Sequence, residues 1–130
     1  MENKKILVVD DEPDILKFVR ILLEKNGYSV ITAKEGSYAM EKIILEKPDL
    51  ILLDIEMPEM GGFEVLERIK ENPATQRIPT IMLTGRSDTS TFEKAVDKKA
   101  DRYISKPFKG KFLLEKVSQV LNEYERKYKE

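Results

Sequence analysis

Two side chains that carry much of protein chemistry are missing from this sequence, which has no cysteine and no histidine. The first absence excludes a disulfide framework, a thiolate metal site and a cysteine nucleophile. The second removes imidazole as base, acid or metal ligand. Long apolar runs are missing too: the start, MENKKILVVDDE, has only a short aliphatic stretch before its acids, too short for a signal-peptide core or a membrane span. The chain therefore reads as cytoplasmic. Nor is there an excess of charge, since 23 basic residues face 24 acidic ones for a net charge of -1. No block of like charge is long enough for a nucleic-acid arm or a polybasic membrane patch, so direct contact with nucleic acid or membrane is not expected.

What is present suits one domain. The 130 residues can close a single core but not two, so residues 1–130 read as one unit, with 122–130 a helical tail or the start of a linker. Short aliphatic runs alternate with stretches of helical period. KILVVD (5–10), YSVITA (28–33), DLILLD (49–54), PTIMLT (79–84) and RYIS (102–105) read as strands, rich in β-branched residues and each stopping at or beside a polar residue. Three of them lack alternation, the mark of strands buried on both faces of a parallel sheet. Between and after the strands, helices are expected over 14–26, 37–46, 63–71, 89–98 and 111 to about 127. The first enters through Pro13 and stops at Gly27. The stripe Val117, Leu121, Tyr124, Tyr128 is expected to pack on the sheet in its first half and to fray in its second. The pattern is (βα)5, an open α/β sheet whose ligands sit beyond the carboxyl ends of the strands.

Those strand ends carry Asp10 and Asp11, Asp54, Thr84 and Lys106. Three carboxylates converging on one edge repel each other, each pair by roughly 4 kcal/mol at about 4 Å for an effective dielectric near 20. One lysine cannot neutralise three acids, so the set asks for a divalent cation, and all-oxygen ligands suit Mg²⁺ or Mn²⁺. Asp54, at the end of the apolar LILLD, is then either a ligand alone or a nucleophile. A carboxylate beside a metal, an ammonium and a hydroxyl is equipped to accept a phosphoryl group without a general base. Taken singly, each residue has a plainer reading. Glu12 and Asp14 are read as first-turn acids that favour the helix dipole, and the glycines at 61 and 62 as turn formers.

Four blocks, ILVVDDEPDI, PDLILLDIEMPEMGGFEVLERIK, IPTIMLTG and DRYISKPF, together resemble the receiver domains of two-component response regulators, in that family's order and spacing. The resemblance, closest in type to chemotaxis regulators, implies a flavodoxin-like sheet of order 2-1-3-4-5 in three α/β/α layers. It also implies Asp54 as phosphoacceptor, and Asp10, Asp11, Asp54 and the backbone carbonyl of Glu56 as Mg²⁺ ligands. Lys106 would contact the phosphate, Thr84 and Tyr103 would form the switch, and Pro58, Gly62 and a cis Pro107 would be structural. Implied partners are a sensor histidine kinase or phosphotransfer protein and a downstream target or fused effector domain, with no catalytic turnover beyond self-phosphorylation from small donors and autodephosphorylation. Glu56 and Arg86 fall at variable positions that tune phosphoryl lifetime in the family. Lys99 departs from the family, which usually has glycine there. Two other classes fit less well: a haloacid-dehalogenase-type phosphatase with Glu56 in place of a second aspartate, and a flavodoxin-like flavin binder, whose phosphate DDEPD would repel.

Overall fold

A computed structural model describes residues 3–86 and 88–128. Five strands, β1 (Lys5–Val9), β2 (Ser29–Ala33), β3 (Leu50–Asp54), β4 (Thr80–Thr84) and β5 (Arg102–Ser105), alternate with α1 (Pro13–Lys25), α2 (Gly36–Glu46), α3 (Gly62–Glu71), α4 (Thr89–Asp97) and α5 (Gly110–Tyr128). The strands form one parallel sheet of order β2-β1-β3-β4-β5, as expected. Each observed end lies within one residue of the expected one, and the differences sit at caps, where the last residue lacks a full set of backbone bonds.

The missing alternation is explained by two cores. Ile6, Val8, Leu50, Leu52, Ile81 and Leu83 point to one face, covered by Val19 and Leu23 of α1 and Leu113, Val117 and Val120 of α5. Leu7, Val9, Ile51, Leu53 and Met82 point to the other, against Ala39 and Ile43 of α2, Val65, Leu66 and Ile69 of α3 and Ala95 of α4. Successive side chains of a strand face opposite ways, so a strand with helices on both sides must be apolar at every position. Each of β3 and β4 is buried along its whole length, final Asp54 and Thr84 included.

Two local features bear on the site. Gly62 opens α3 directly against the β3 terminus: a Cβ there would lie 2.3 Å from the Asp54 carbonyl oxygen and 2.7 Å from Ile55 Cα, and its N–H donates to the Ile55 carbonyl at 2.9 Å. Lys99, in the turn before β5, has φ +68°, the left-handed region that favours glycine. The turn keeps its shape through backbone bonds from Lys99 to Val96 and from Ala100 to Ala95, so the departure at Lys99 strains the turn without altering it.

The C-terminal stripe differs from expectation. Rather than fraying, α5 remains helical through Tyr128. Tyr128 lies against Tyr124, with ring centroids 4.8 Å apart, and under the Arg77 guanidinium at 4.6 Å. Such contacts hold an aromatic where propensity alone would let it fray. Among the described residues no helix is long and apolar enough to cross a membrane.

Replacing Gly62 with alanine is expected to cost roughly 1–3 kcal/mol, because backbone rather than a mobile side chain must give way. Lys99→Gly is expected to raise stability by about 0.5–1 kcal/mol, relief of left-handed strain outweighing the added freedom of the unfolded chain. Urea denaturation of both variants checks the two signs.

Candidate functional site

The carboxyl ends of β1, β3 and β5 bring three of the expected residues into contact. Asp10 follows β1 and is fully buried, and Asp54 ends β3 with 1% exposure. Lys106, just past β5, reaches between them, with Nζ 2.8 Å from Asp10 Oδ2 and 3.3 Å from Asp54 Oδ1. The Lys106–Pro107 bond is cis.

The three groups do not balance. Burial, reinforced by the charge of Asp10, pushes the Asp54 carboxyl up to about 7, although Lys106 pulls the other way and a contact with Asp11 pushes it further up. Burial also raises Asp10, only partly offset by Lys106 and by the Glu12 backbone N–H, which donates to Asp10 Oδ1 at 2.9 Å. For Lys106, burial favours the neutral amine, but hydrogen bonding and charge from Asp10 and Asp54 prevail, so its ammonium form is held above its ordinary range. Asp10 Oδ2 is buried and lies off the line of any hydrogen bond; its close approach to Lys106 is an ion pair. Buried carboxylate oxygens without a donor are costly.

Two contacts go beyond the expected set. The carboxylates of Asp10, Asp11 and Glu12 have oxygens within 4.8 Å of one another, so Glu12 stands beside the expected acids, and Asp54 meets the group through Asp11 and Lys106. Glu12 is more than a dipole acid: its side chain caps nothing, and Oε1 accepts from Lys106 Nζ at 3.1 Å. Thr84 stands buried at the end of β4, but its hydroxyl donates to Glu56 Oε2 at 2.6 Å. The second oxygen of Glu56 accepts from the Gly85 N–H at 2.9 Å. Thr84 Oγ1 itself accepts from the Arg86 N–H at 2.9 Å. Half-buried Tyr103 lies edge-on to Phe92 of α4, centroids 5.7 Å apart, and donates its hydroxyl to the Arg86 carbonyl. Pro58 is exposed in the β3–α3 connection.

Comparison with known proteins places this constellation. The family model for the response regulator receiver domain matches residues 6–118. The chain belongs to that family. It is 38% identical over 123 residues to the alkaline phosphatase synthesis transcriptional regulatory protein PhoP of Bacillus subtilis, covering 95% of this chain and 50% of that protein. It is 38% identical over 121 residues to the phosphate regulon transcriptional regulatory protein PhoB of Pseudomonas aeruginosa, covering 93% and 53%. The chain thus spans about half the length of these curated relatives. A CheY-like receiver domain protein of Methanospirillum hungatei superposes with a TM-score of 0.91 at 35% identity, covering 97% of this chain and 99% of that one.

Receiver domains bind Mg²⁺ at an acidic cluster, and the residues present here fit such an ion. Asp10 Oδ2 is a buried oxygen whose close partner is an ammonium shared with two other acids, further carboxylates lie beside it, and hard oxygen donors are what Mg²⁺ prefers. The sequence reading gave Glu12 only a helix-dipole role and placed Glu56 at a tuning position without its side-chain partners. Glu12 sits in a run of acids that equally suits a helix start, and Glu56 lies outside any regular element whose period would aim it.

The raised carboxyls give the metal-free domain a defined pH dependence. The unfolded Asp54 titrates near 3.8 and the folded one near 7. At low pH both states are protonated and there is no penalty, whereas above about pH 7 the folded state carries the full cost of a buried charge. Without metal, stability should therefore fall as pH rises from about 4 to about 7, with Asp10 acting in the same direction. Asp54→Asn should flatten much of this slope and raise the melting temperature near pH 8; an unchanged slope would refute the assignment.

Proposed function

We propose that this receiver domain accepts a phosphoryl group on Asp54 from the phosphohistidine of a sensor histidine kinase or phosphotransfer protein. The observation that carries the reading is the placement of Asp54, buried at the end of a central strand and 3.3 Å from the Lys106 ammonium. Asp54 Oδ attacks phosphorus, the new P–O bond forms, and the P–N bond to the donor imidazole breaks with its electron pair left on nitrogen. With a divalent cation beside it Asp54 would be ionised, so no separate base would be needed, which reconciles the chemistry with a chain lacking histidine and cysteine.

Asp10, Asp11, Asp54 and the Glu56 backbone carbonyl would hold Mg²⁺, with Mn²⁺ as a substitute. The bound ion would supply positive charge to the transferring oxygens and favour ionised carboxylates. Lys106 holds a second positive charge for the phosphoryl oxygens. Thr84 donates to the phosphoryl group once it is in place, and Tyr103 repositions with the segment that Arg86 carries. Output then passes through the surface of α4, β5 and α5, a local charge change biasing a two-state element.

The PhoP and PhoB relatives are named as transcriptional regulators, and these 130 residues carry no basic patch of the length a DNA arm needs. Action at DNA, where a whole protein built on this domain has it, is proposed to reside outside them. The phosphatase reading draws no support from the geometry, because the Glu56 carboxylate that would serve as general acid is engaged by Thr84 and Gly85.

Incubation with Mg²⁺ and acetyl phosphate or phosphoramidate should add one labile phosphoryl group, about 80 Da by its formula, read by intact mass. Asp54→Asn should add none, Asp11→Ala should weaken Mg²⁺ binding and acceptance together, and chelation of the metal should abolish the gain. Equal labelling of Asp54→Asn would overturn the assignment.

A further inference from the structure

We propose that the Glu56 carboxylate is a positioning residue that latches the unphosphorylated state, holding the Thr84 hydroxyl and the Gly85 amide until phosphoryl charge on Asp54 displaces it. The inference rests on the reading of Asp54 as phosphoacceptor and adds a release step to it. Glu56 lies two residues past Asp54, exposed on the β3–α3 connection, yet both its oxygens are spent on the end of β4. Oε2 accepts from the Thr84 hydroxyl at 2.6 Å and Oε1 from the Gly85 N–H at 2.9 Å. A hydroxyl has one proton to give, so while Thr84 donates to Glu56 it cannot donate to a phosphoryl oxygen. The distances are those of charge-assisted bonds, stronger than neutral ones.

The latch reaches beyond its own two bonds. Thr84 Oγ1 accepts the Arg86 N–H, and the Arg86 carbonyl accepts the Tyr103 hydroxyl. Glu56 thereby holds the backbone at Gly85 and, through Thr84, at Arg86, whose carbonyl receives the Tyr103 hydroxyl. Phosphorylation replaces one carboxylate charge at Asp54 by roughly two negative charges. The fixed carboxylate two residues away is then repelled while its donors gain a more highly charged acceptor. The bonds that stabilise the resting state are the ones the new charge selects against. If only the unlatched fraction of molecules is competent, removing the latch increases apparent affinity for a phosphoryl group by the reciprocal of that fraction.

The test is Mg²⁺-dependent affinity for beryllofluoride, a phosphoryl mimic, by calorimetry, with amide NMR of Gly85 in the same samples. Glu56→Ala should bind about tenfold tighter, the low end for bonds to a charged group at an exposed site. Glu56→Gln, which keeps an acceptor without the charge, should gain about threefold. In a Thr84→Ala background the gain from Glu56→Ala should shrink by about threefold or more, since coupled residues are not additive. The Gly85 amide resonance of ligand-free Glu56→Ala should move away from its wild-type position. Equal gains in the alanine and glutamine variants, undiminished in the Thr84→Ala background, would reduce Glu56 to a background charge and overturn the latch. Failure of the wild-type protein both to bind the probe and to accept phosphoryl from a small donor would instead overturn the Asp54 reading, and the latch with it.

Discussion

A shortage of positive charge at one buried edge governs this domain. Lys106 Nζ is within ion-pair distance of Asp10, Glu12 and Asp54 at once. Burial, together with the charge of Asp10, raises Asp54 to about 7, and one ammonium shared among three acids offsets this only in part. Such an arrangement persists only if the framework prevents the acids from moving apart or into water. The fully buried β3 does this for Asp54, the end of β1 does it for Asp10, and Gly62 lets α3 press directly on the backbone of residues 54 and 55. The cost of holding the acids together is what makes a cation favourable there.

A second layer of polar contacts connects that edge to the outside of the molecule. Glu56, Thr84, Arg86 and Tyr103 form a continuous run of hydrogen bonds from the β3–α3 connection, across the end of β4, to the aromatic of β5 that packs on Phe92. The first layer is supported by strands buried on both faces and the second by short connections and one half-buried ring. Rigidity in the first and adaptability in the second are what a charge-driven switch requires, because the charge must be placed accurately while its effect must move something.

Much of the fold could be read without coordinates because its signals are local. Uninterrupted apolar runs ILVV, LILL and IML imply strands covered on both sides, and Pro13 with Gly27 brackets a helix. The misreadings occur where a side chain outside a regular element, or beyond the main core, finds a distant partner. Tyr128 is held by Arg77, a residue from the loop before β4; nothing in the 117–128 stripe signals it. Glu12 reaches Lys106 across 94 positions and Glu56 reaches Thr84 across 28. At Lys99 the turn tolerates a left-handed residue that sequence preference would assign to glycine.

The sequence by itself determined the alternation of elements, the two-sided burial of the central strands and the identity of the acids, hydroxyl and lysine at the strand ends. Periodicity and strand termination are properties of neighbouring residues, so they survive in one dimension. Only the tertiary structure decided how those groups pair: that Lys106 lies between Asp10 and Asp54, that Glu12 joins them, and that the Thr84 hydroxyl faces Glu56. Pairing is settled by side-chain direction, burial and charge among residues far apart in the chain, and those exist only once the sheet has brought its strand ends together.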